Sequence, residues 1–448
     1  MENYEENRDS TACGNSLNGV FSSQSSCRGK YSAPLDDPVT DMISLVSESN
    51  INTTIQTLQD FDTRYIFSEN CSLSAEYLYE KFSEYNLWTE YDYFEYENHI
   101  LKNVVGTLNG TSDNIYIVSA HYDSINLKDE IKSTDDVNAS APGADDDASG
   151  VASVLECARI MSKYRFNATI RFVAFSAEEQ GLIGSKHYAE KMKGSDEKII
   201  ADIQLDMIGY GNDSIDIIAN PESEWIAETM ENVSVNYGIV LNVNKVVNSS
   251  IRYSDHASFW DNGYCGVCLI ENAAPSDYNP YFHSKNDTIE KLNFTLIRKT
   301  TQMCITTLSV LANLSLPDLT VSDIKFSDEK VEEGEMIGIM VTIYNTGKID
   351  AKGEAKFYCD NIIIGSKDVY VEVNDSSNVS ISWKAVSGKH IISVMIEDCT
   401  PIESNTSNNM VSKMIAVSKA APEPVSSFDF LFIVLIGAIV SGIMMKIR

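Results

Sequence analysis

The sequence predicts an α/β domain with a mainly parallel central sheet flanked by helices, followed by a second, all-β sandwich domain and a C-terminal hydrophobic segment. From about residue 100, short apolar runs alternate with stretches of helical periodicity, which is typical of parallel strands joined by helices. After about residue 316, apolar and polar residues alternate between turn signals without a helical period, which indicates a sandwich. The 448 residues are also too many for one ordinary core. We therefore expect two folded domains.

These changes in pattern divide the chain into five regions. Residues 1–35 are polar and rich in serine and asparagine, and we expect them to be disordered. Residues 36–315 form the α/β domain and residues 317–417 the sandwich. Residues 418–427 read as a linker, and residues 428–448 as a membrane anchor or a sorting segment.

The α/β region opens with helices and continues as alternating strands and helices. Apolar residues recur at three- and four-residue intervals in 37–61 and 74–86, which predicts amphipathic helices. Strand, helix, strand, helix and strand then follow over 114–124, 149–164, 168–179, 184–193 and 199–211. In a parallel sheet of this kind, functional groups collect where the strands end and the loops begin.

One of these loops, "PGADDDASG", places three adjacent carboxylates on a tight turn. Like charges at this spacing repel each other unless a cation neutralises them. An isolated run of three aspartates is also compatible with a solvated acidic loop. The other candidate residues decide between the two interpretations.

Further candidate side chains follow the predicted strands. They are His121, Asp123, Asp145, Asp146, Asp147, Glu178, Glu179, Asp206 and His283. Taken singly, each has an ordinary explanation as a hydrogen-bonded histidine, a solvated helix start or a helix cap. Together they offer two histidines and at least three carboxylates at one edge of the sheet, the ligand set that two adjacent zinc ions require.

Over residues 40–315 the chain resembles the secreted two-zinc aminopeptidases of peptidase clan MH, typified by bacterial leucyl aminopeptidases. The motifs that carry the resemblance are "PGADDDASG", "AEEQGL", "QLDM", "SDHASF" and "NPYFH", in this order. The resemblance implies a fold of the zinc exopeptidase type, a zinc-dependent aminopeptidase domain over 36–315, and two zinc ions per chain.

The resemblance also implies a role for each candidate. The metal ligands would be His121, Asp146, Glu179, Asp206 and His283. Asp146 would bridge both ions, Glu179 and His283 would complete one site, and His121 and Asp206 the other. The Asp146–Asp147 peptide is expected to be strained, in some relatives cis.

Glu178 and Asp123 are implied to act beside the ligands. Glu178 would be the general base, because a water activated by metal needs an unligated carboxylate to accept its proton and pass it to the leaving amine. Asp123, two residues after His121, would orient that imidazole. We expect His256, in "SDHASF", to be structural rather than a ligand.

The second domain resembles the accessory sandwich called CARDB, through "YNTGKIDAKG", "FYCDNIIIGS" and "ESNTSNNM". Such modules occur on exported proteins, and nothing in this stretch indicates catalysis. If the chain is exported, we expect a disulfide between Cys359 and Cys399, on strands that look adjacent.

Composition and sequence signals bear on partners and location. The net charge of −31 argues against nucleic-acid binding. Glycosylation sequons recur from Asn52 to Asn405, which favours an extracellular glycoprotein. Against this, "MENYEENRDS" shows no secretory signal. The apolar run from Phe430 to Met445 would extend about 24 Å as a helix, against about 30 Å of hydrocarbon core, so a buried helix is the alternative to an anchor.

These observations lead to the prediction of a membrane-anchored metallo-exopeptidase, with its catalytic domain outside the cell, that removes N-terminal residues from peptides. Two alternatives stay open. One is another reaction on the same fold, carboxypeptidase action or glutaminyl cyclisation with one zinc. The other is a receptor or adhesion ectodomain that has lost its chemistry.

We predict that residues 428–448 attach the protein to membranes. The full chain should then sediment with membranes, whereas a chain truncated after Ser427 should be soluble, because apolar side chains favour the hydrocarbon core. Fractionation followed by immunoblotting measures this. Equal solubility of the two proteins would refute attachment through this segment.

Overall fold

The computed structural model describes residues 37–129, 139–195, 197–271 and 279–420. They form two compact units that divide between Ser315 and Leu316. The predicted N-terminal region 1–35 and the hydrophobic segment 428–448 lie outside the described residues. Within the described ranges, the helices are all too short or too polar to span a membrane.

The first unit contains helices and strands in alternation. Its helices are α1 Pro38–Ser44, α2 Glu48–Gln59, α3 Glu69–Glu84, α4 Ala148–Met161, α5 Ile183–Lys193, α6 Glu224–Asn236, α7 His256–Asp261 and α8 Phe294–Leu311, with a 3₁₀ turn at Ile289–Lys291. Its strands are β1 Trp88–Tyr96, β2 His99–Leu108, β3 Asn114–His121, β4 Arg165–Phe166, β5 Thr169–Phe175, β6 Lys198–Leu205, β7 Ser214–Ala219, β8 Asn242–Val247, β9 Cys265–Glu271 and β10 Leu314–Ser315.

Eight of these strands form one sheet in the order β1-β2-β5-β3-β6-β9-β7-β8. The four central strands, β5, β3, β6 and β9, run parallel. At one edge β1, β2 and β5 pair antiparallel, and at the other β7 is antiparallel to β9 but parallel to β8. The predicted α/β fold class is confirmed, with a parallel centre and mixed edges.

The chain path explains why the ends of β3, β5 and β6 meet. The chain leaves β3 through α4 to β5 on one side, then returns through α5 past β3 to β6 on the other side. Such a reversal leaves a crevice at the carboxyl ends of the strands, where open α/β sheets bind ligands.

Strand β3 separates two apolar layers. Tyr116, Val118 and Ala120 pack in a large core with α4, whereas Ile115 and Ile117 pack in a smaller core with α5. Because side chains alternate along a strand, His121 at the end of β3 lies on the α5 face.

Helix α4 begins directly after the acidic turn. The Asp147 carboxylate caps it by accepting the Gly150 N–H at 3.0 Å. A Cβ on Gly150 would lie 2.6 Å from the Leu205 carbonyl oxygen, so only glycine lets the helix approach the end of β6 this closely.

The second unit is built of strands in its described part. They are β11 Leu319–Val321, β12 Lys325–Phe326, β13 Val331–Glu332, β14 Met336–Asn345, β15 Ala351–Cys359, β16 Ile362–Val371, β17 Ser376–Lys384, β18 Gly388–Thr400 and β19 Met410–Ser418. One sheet joins β11, β12 and β17 to β14, and the other has the order β13-β19-β18-β15-β16. Buried side chains such as Ile337, Phe357 and Val394 form its core, in agreement with the predicted sandwich.

The expected disulfide between Cys359 and Cys399 is wrong, because both thiols are free. Strands β15 and β18 are neighbours, but their antiparallel register pairs Cys359 with Ile392, seven residues from Cys399. At about 3.3 Å per residue the two thiols lie roughly 20 Å apart along the sheet. A disulfide requires Cα atoms within about 7 Å.

Candidate metal centre

The predicted ligands lie close together at the carboxyl edge of the central strands. His121 is the last residue of β3, Glu179 follows β5, and Asp206 follows β6 directly. Asp146 lies in the turn before α4, and His283 lies in the loop between β9 and the 3₁₀ turn. Five separate segments therefore supply one site.

The five side chains form two groups that share Asp146. In one group, His121 Nε2 lies 3.2 Å from Asp146 Oδ1 and 3.7 Å from Asp206 Oδ1. In the other, His283 Nε2 lies 3.0 Å from Asp146 Oδ2 and 2.9 Å from Glu179 Oε2. Asp146 thus turns a different carboxylate oxygen towards each group.

Glu178 belongs to neither group, although its Oε2 lies 4.0 Å from His121 Nε2. Asp123 lies between the loops after β3 and β5. Its Oδ1 is 3.7 Å from His121 Nδ1, too long for a hydrogen bond. Its two oxygens instead accept the main-chain N–H groups of Glu178 at 3.2 Å and Glu179 at 3.3 Å. Asp123 therefore positions the main chain of Glu178 and Glu179, whereas it makes no hydrogen bond to the His121 ring.

The three aspartates of the acidic turn face different neighbours. Asp145 accepts the Gly209 N–H at 2.8 Å. Asp147 accepts the N–H groups of His121 at 3.1 Å and Met207 at 3.2 Å, which ties together the ends of β3 and β6. Because their neighbours occupy Asp145 and Asp147, Asp146 is the one that faces both histidines. The Asp146–Asp147 peptide is cis, as the resemblance implies.

Sequence reasoning missed four buried residues around this turn. Asp287 accepts the N–H groups of Asp145 and Asp146 at 3.1–3.2 Å. The Asn279 side-chain amide donates to Asp145 Oδ2 at 2.7 Å, and the Asn279 main-chain N–H donates to Glu271 Oε1 at 2.9 Å. Asn279 and Asp287 each lie four residues from His283 in the sequence, so their closeness to a predicted ligand was the one available signal. Glu271, at the end of a hydrophobic strand, and Arg64 carried no comparable signal.

The electrostatics of the metal-free site are dominated by burial and by the facing charges. Burial alone would raise the pKa of Asp146, but His121 and His283 hold it well below its usual range. Burial alone would lower the pKa of His283, but Asp146 and Glu179 raise it to about 10. Burial and the neighbouring Asp146 raise the pKa of Glu179 to about 7.

Glu178 and His121 show the same competition. Burial raises the pKa of Glu178 well above its ordinary value; His121 opposes this shift, and Glu179 and Asp206 add to it. Burial alone would lower the pKa of His121, but Glu178, Asp123 and Asp146 raise it well above normal. The metal-free site therefore stores protons that a cation would displace.

The residues fit zinc. Histidine and carboxylate ligands around tetrahedral zinc have donor atoms about 3.3 Å apart, and the four histidine–carboxylate separations in the two groups are 2.9–3.7 Å. Two buried atoms of the site, Glu179 Oε1 and His121 Nδ1, have no hydrogen-bond partner in the described structure. His256 lies outside both groups. Its Nε2 is 3.1 Å from the Ile251 carbonyl and its ring packs on Trp260, as expected for a structural residue.

A cavity of about 510 Å³ opens over the two groups. Met207, Ile270 and Phe282 give it an apolar wall, and Lys186 and Arg252 also line it. The site thus combines a charged floor with an apolar side, the usual composition of a pocket for a small ligand.

A third set of possible ligands, Cys359, Asp360 and His390, lies in the second unit. His390 Nδ1 is only 2.7 Å from Asp360 Oδ2, and its Nε2 is 2.9 Å from the Val386 carbonyl. An ordinary ion pair accounts for this arrangement.

Comparisons with known proteins agree with the fold and give the family. Residues 103–308 match the model of peptidase family M28, and residues 316–413 match CARDB. The chain is similar to a probable leucine aminopeptidase of Trichophyton verrucosum, at 31% identity over 272 residues covering 57% of this chain and 69% of the relative. It is also similar to a probable zinc metalloprotease of Pyrenophora teres f. teres, at 35% identity over 197 residues covering 39% and 41%. Among solved structures, LapB from Legionella pneumophila matches with a TM-score of 0.54 at 24% identity, covering 63% of this chain and 77% of LapB.

We predict that zinc affinity rises with pH. In the metal-free site His283 has a pKa of about 10 and Glu179 of about 7, and zinc binds only their deprotonated forms. At the group formed by Asp146, Glu179 and His283, zinc must displace both protons below both values and only that of His283 between them; at the other group it must also displace the proton of His121, whose pKa is raised. The apparent dissociation constant should therefore fall by about tenfold per pH unit between the two values.

Competition with a chelator of known affinity measures this dependence, and titration in weakly buffered solution measures the protons released. A pH-independent affinity with no proton release would show that zinc does not bind at these residues.

Proposed function

We propose that this chain, which belongs to peptidase family M28, is an aminopeptidase that removes N-terminal residues from peptides with two zinc ions per chain. The observation that carries the proposal is Asp146, whose two oxygens face two separate histidine–carboxylate groups. A carboxylate in this position can bridge two metals without further rearrangement of the fold.

His121 and Asp206 would hold one zinc ion, and Glu179 and His283 the other, with Asp146 shared. When bound, the ions supply Lewis acidity to the scissile carbonyl and lower the pKa of water. Glu178, which belongs to neither ligand group, accepts the proton of the attacking water and returns it to the leaving amine. Its raised pKa suits a group that takes and gives back a proton.

The similar proteins, rather than the charge of the pocket, support action at the amino end of a peptide. Four carboxylates line the cavity, those of Asp146, Glu178, Glu179 and Asp206. Two zinc ions, together with Lys186 and Arg252, would offset these charges, so the preference for the amino end rests on the similar proteins, several of which are named probable leucine aminopeptidases. Carboxypeptidase action is therefore the weaker alternative.

The apolar wall supports a preference for apolar N-terminal residues. Met207 and Ile270 are buried members of one hydrophobic cluster, and Phe282 packs against it. A side chain such as leucine would bury apolar surface there. The name of the similar T. verrucosum protein, a probable leucine aminopeptidase, points the same way.

We also propose that the enzyme is a glycoprotein and works outside the cell, held by residues 428–448. Support comes from the sequons, whose asparagines are all exposed or half-buried within the described residues. Asn70 and Asn293 use their side-chain amides within the fold, so the exposed sites such as Asn52, Asn109 and Asn405 are the expected acceptors.

Hydrolysis of matched peptides tests the proposal. Peptides with a free N-terminus should be cleaved from that end, and N-acetylated versions should resist cleavage. A panel of aminoacyl-nitroanilides should rank leucine, methionine and phenylalanine above aspartate and lysine. Cleavage of the blocked peptides, or release of ammonia from N-terminal glutamine with one zinc per chain, would instead support carboxypeptidase or cyclase chemistry.

We predict opposite defects for the two adjacent glutamates. Glu178→Gln keeps size and hydrogen-bonding reach but cannot accept the proton, so kcat should fall roughly 100- to 10,000-fold with zinc content unchanged. Glu179→Gln should lose zinc first, because its side chain is a ligand. Steady-state kinetics and metal analysis of both variants measure this. Near-normal turnover in Glu178→Gln, or the reverse pattern of zinc loss, would mean that the two roles are exchanged.

We predict that Asp146→Ala loses both zinc ions, because each ion would keep only two protein ligands. The matched variant Asp206→Ala should lose only the ion on the His121 side. Metal analysis after dialysis against dilute chelator gives zinc per chain. If Asp146→Ala keeps two zinc ions per chain, Asp146 is not the bridging ligand, and Asp145 or Asp147 must bridge the ions instead.

A further inference from the structure

Arg64 lies fully buried beneath the acidic turn, in the segment between α2 and α3. Its guanidinium donates to main-chain carbonyls of three segments. Nε donates to Tyr122 at 2.7 Å, Nη1 to Pro142 at 2.6 Å and to Leu58 at 3.1 Å, and Nη2 to Gly143 at 2.9 Å. One side chain thus connects the end of α2, the loop after β3 and the start of the acidic turn.

Two of these segments carry the groups assigned to the metals. Tyr122 directly follows His121, and Gly143 precedes Asp146 by three residues. The Gly143 carbonyl also accepts the Ala148 N–H at 3.1 Å, which closes the turn around Asp146. Arg64 therefore fixes the separation between the strand end that carries His121 and the turn that carries Asp146.

The residues around the Arg64–Gly143 hydrogen bond are closely packed and leave it little room to shift. Gly143 has φ +51°, and a Cβ there would lie 2.8 Å from Arg64 Nη2 and 2.3 Å from the Asp146 carbonyl oxygen. The Arg64 main chain is held as well. Its N–H donates to Ser124 Oγ at 3.0 Å, and the Ser124 hydroxyl donates to the Ala141 carbonyl at 2.7 Å.

The charge of Arg64 is also unusual. A buried cation is costly unless it is paired or fully hydrogen-bonded, and here the four acceptors are carbonyls rather than carboxylates. The carboxylates whose charges act on it are those of Asp287, Asp123 and Asp146. Arg64 thus places a fixed positive charge under the acidic site.

We propose that Arg64 is a positioning residue for the metal centre, which holds the His121 and Asp146 segments at the separation that shared metal binding requires. The inference rests on the proposed function only in taking these two residues as zinc ligands. Lysine would keep the charge but not the planar fork of donors, so the two contributions can be separated.

The test compares Arg64→Lys and Arg64→Met with wild type. Both should bind zinc about 10- to 100-fold more weakly, the usual effect of losing a group that orients a ligand. Arg64→Met should be the weaker binder, because methionine can make none of the hydrogen bonds to the carbonyls, whereas lysine can keep one or two of them. Cobalt-substituted Arg64→Lys should show an altered visible spectrum, since that spectrum reports the geometry of the ligands.

Arg171→Lys is the matched control. Arg171 lies on β5 and donates to Glu197 at 2.5 and 2.7 Å, outside both ligand groups. Its replacement should lower the thermal midpoint without changing zinc affinity or the cobalt spectrum.

Ser124→Ala is a milder variant that keeps the guanidinium but removes the hydrogen bond that holds the Arg64 main chain in place, so it remains informative if the Arg64 variants do not fold. It should weaken zinc binding by about 2- to 10-fold, the effect of one lost hydrogen bond. Wild-type zinc affinity and cobalt spectra in the folded Arg64 variants, or in Ser124→Ala, would overturn the proposal. Zinc loss as predicted in a protein that cleaves no free-amino peptide would instead contradict the aminopeptidase assignment alone.

Discussion

The arrangement of the site depends on one electrostatic constraint, the convergence of four carboxylates and two imidazoles in a largely buried pocket. Water cannot screen these groups, so like charges raise the free energy of the folded chain unless protons or cations compensate them. In the metal-free protein protons take this part, as the raised pKa values of His283 and Glu179 indicate. Bound zinc would replace those protons with positive charge that can also activate water.

The fold meets this constraint because some of the carboxylates accept hydrogen bonds from the main chain, while others are left to face the metal site. Main-chain N–H groups stabilise the carboxylates of Asp145, Asp147 and Asp123, none of which belongs to the two ligand groups. The switch in strand order around β3, with β5 on one side and β6 on the other, brings the ends of three parallel strands together. Asp146, Glu179 and Asp206 can then face inward without competing for the same donors.

Much of the fold and of the site could be predicted from the sequence, because the signals for them lie in short, continuous stretches. Alternation of strands and helices from residue 100 predicted the centre of the sheet, and the aspartate turn, the glutamate pair and the two histidines predicted the site. Strands β1 and β2 were missed, since β1 is half exposed and carries polar residues between its aromatic ones. A two-residue turn with positive φ at Glu97 and Asn98 joins them.

Other features could not be predicted, because they depend on distances between remote segments. Arg64 stands in a short connection without periodicity, and only the fold shows that it reaches Tyr122 and Gly143. The register of β15 against β18 separates Cys359 from Cys399, although both strands were recognised. Residue type identifies candidates, whereas register and chain crossing decide which of them meet.

Anomalous diffraction at the zinc edge, from crystals of the zinc-loaded protein, tests the shared role of Asp146 most directly. We expect two peaks about 3.5–4 Å apart, one beside His121 and Asp206 and one beside Glu179 and His283, with Asp146 between them. A single peak, or two peaks bridged by Asp145 or Asp147, would contradict the assignment.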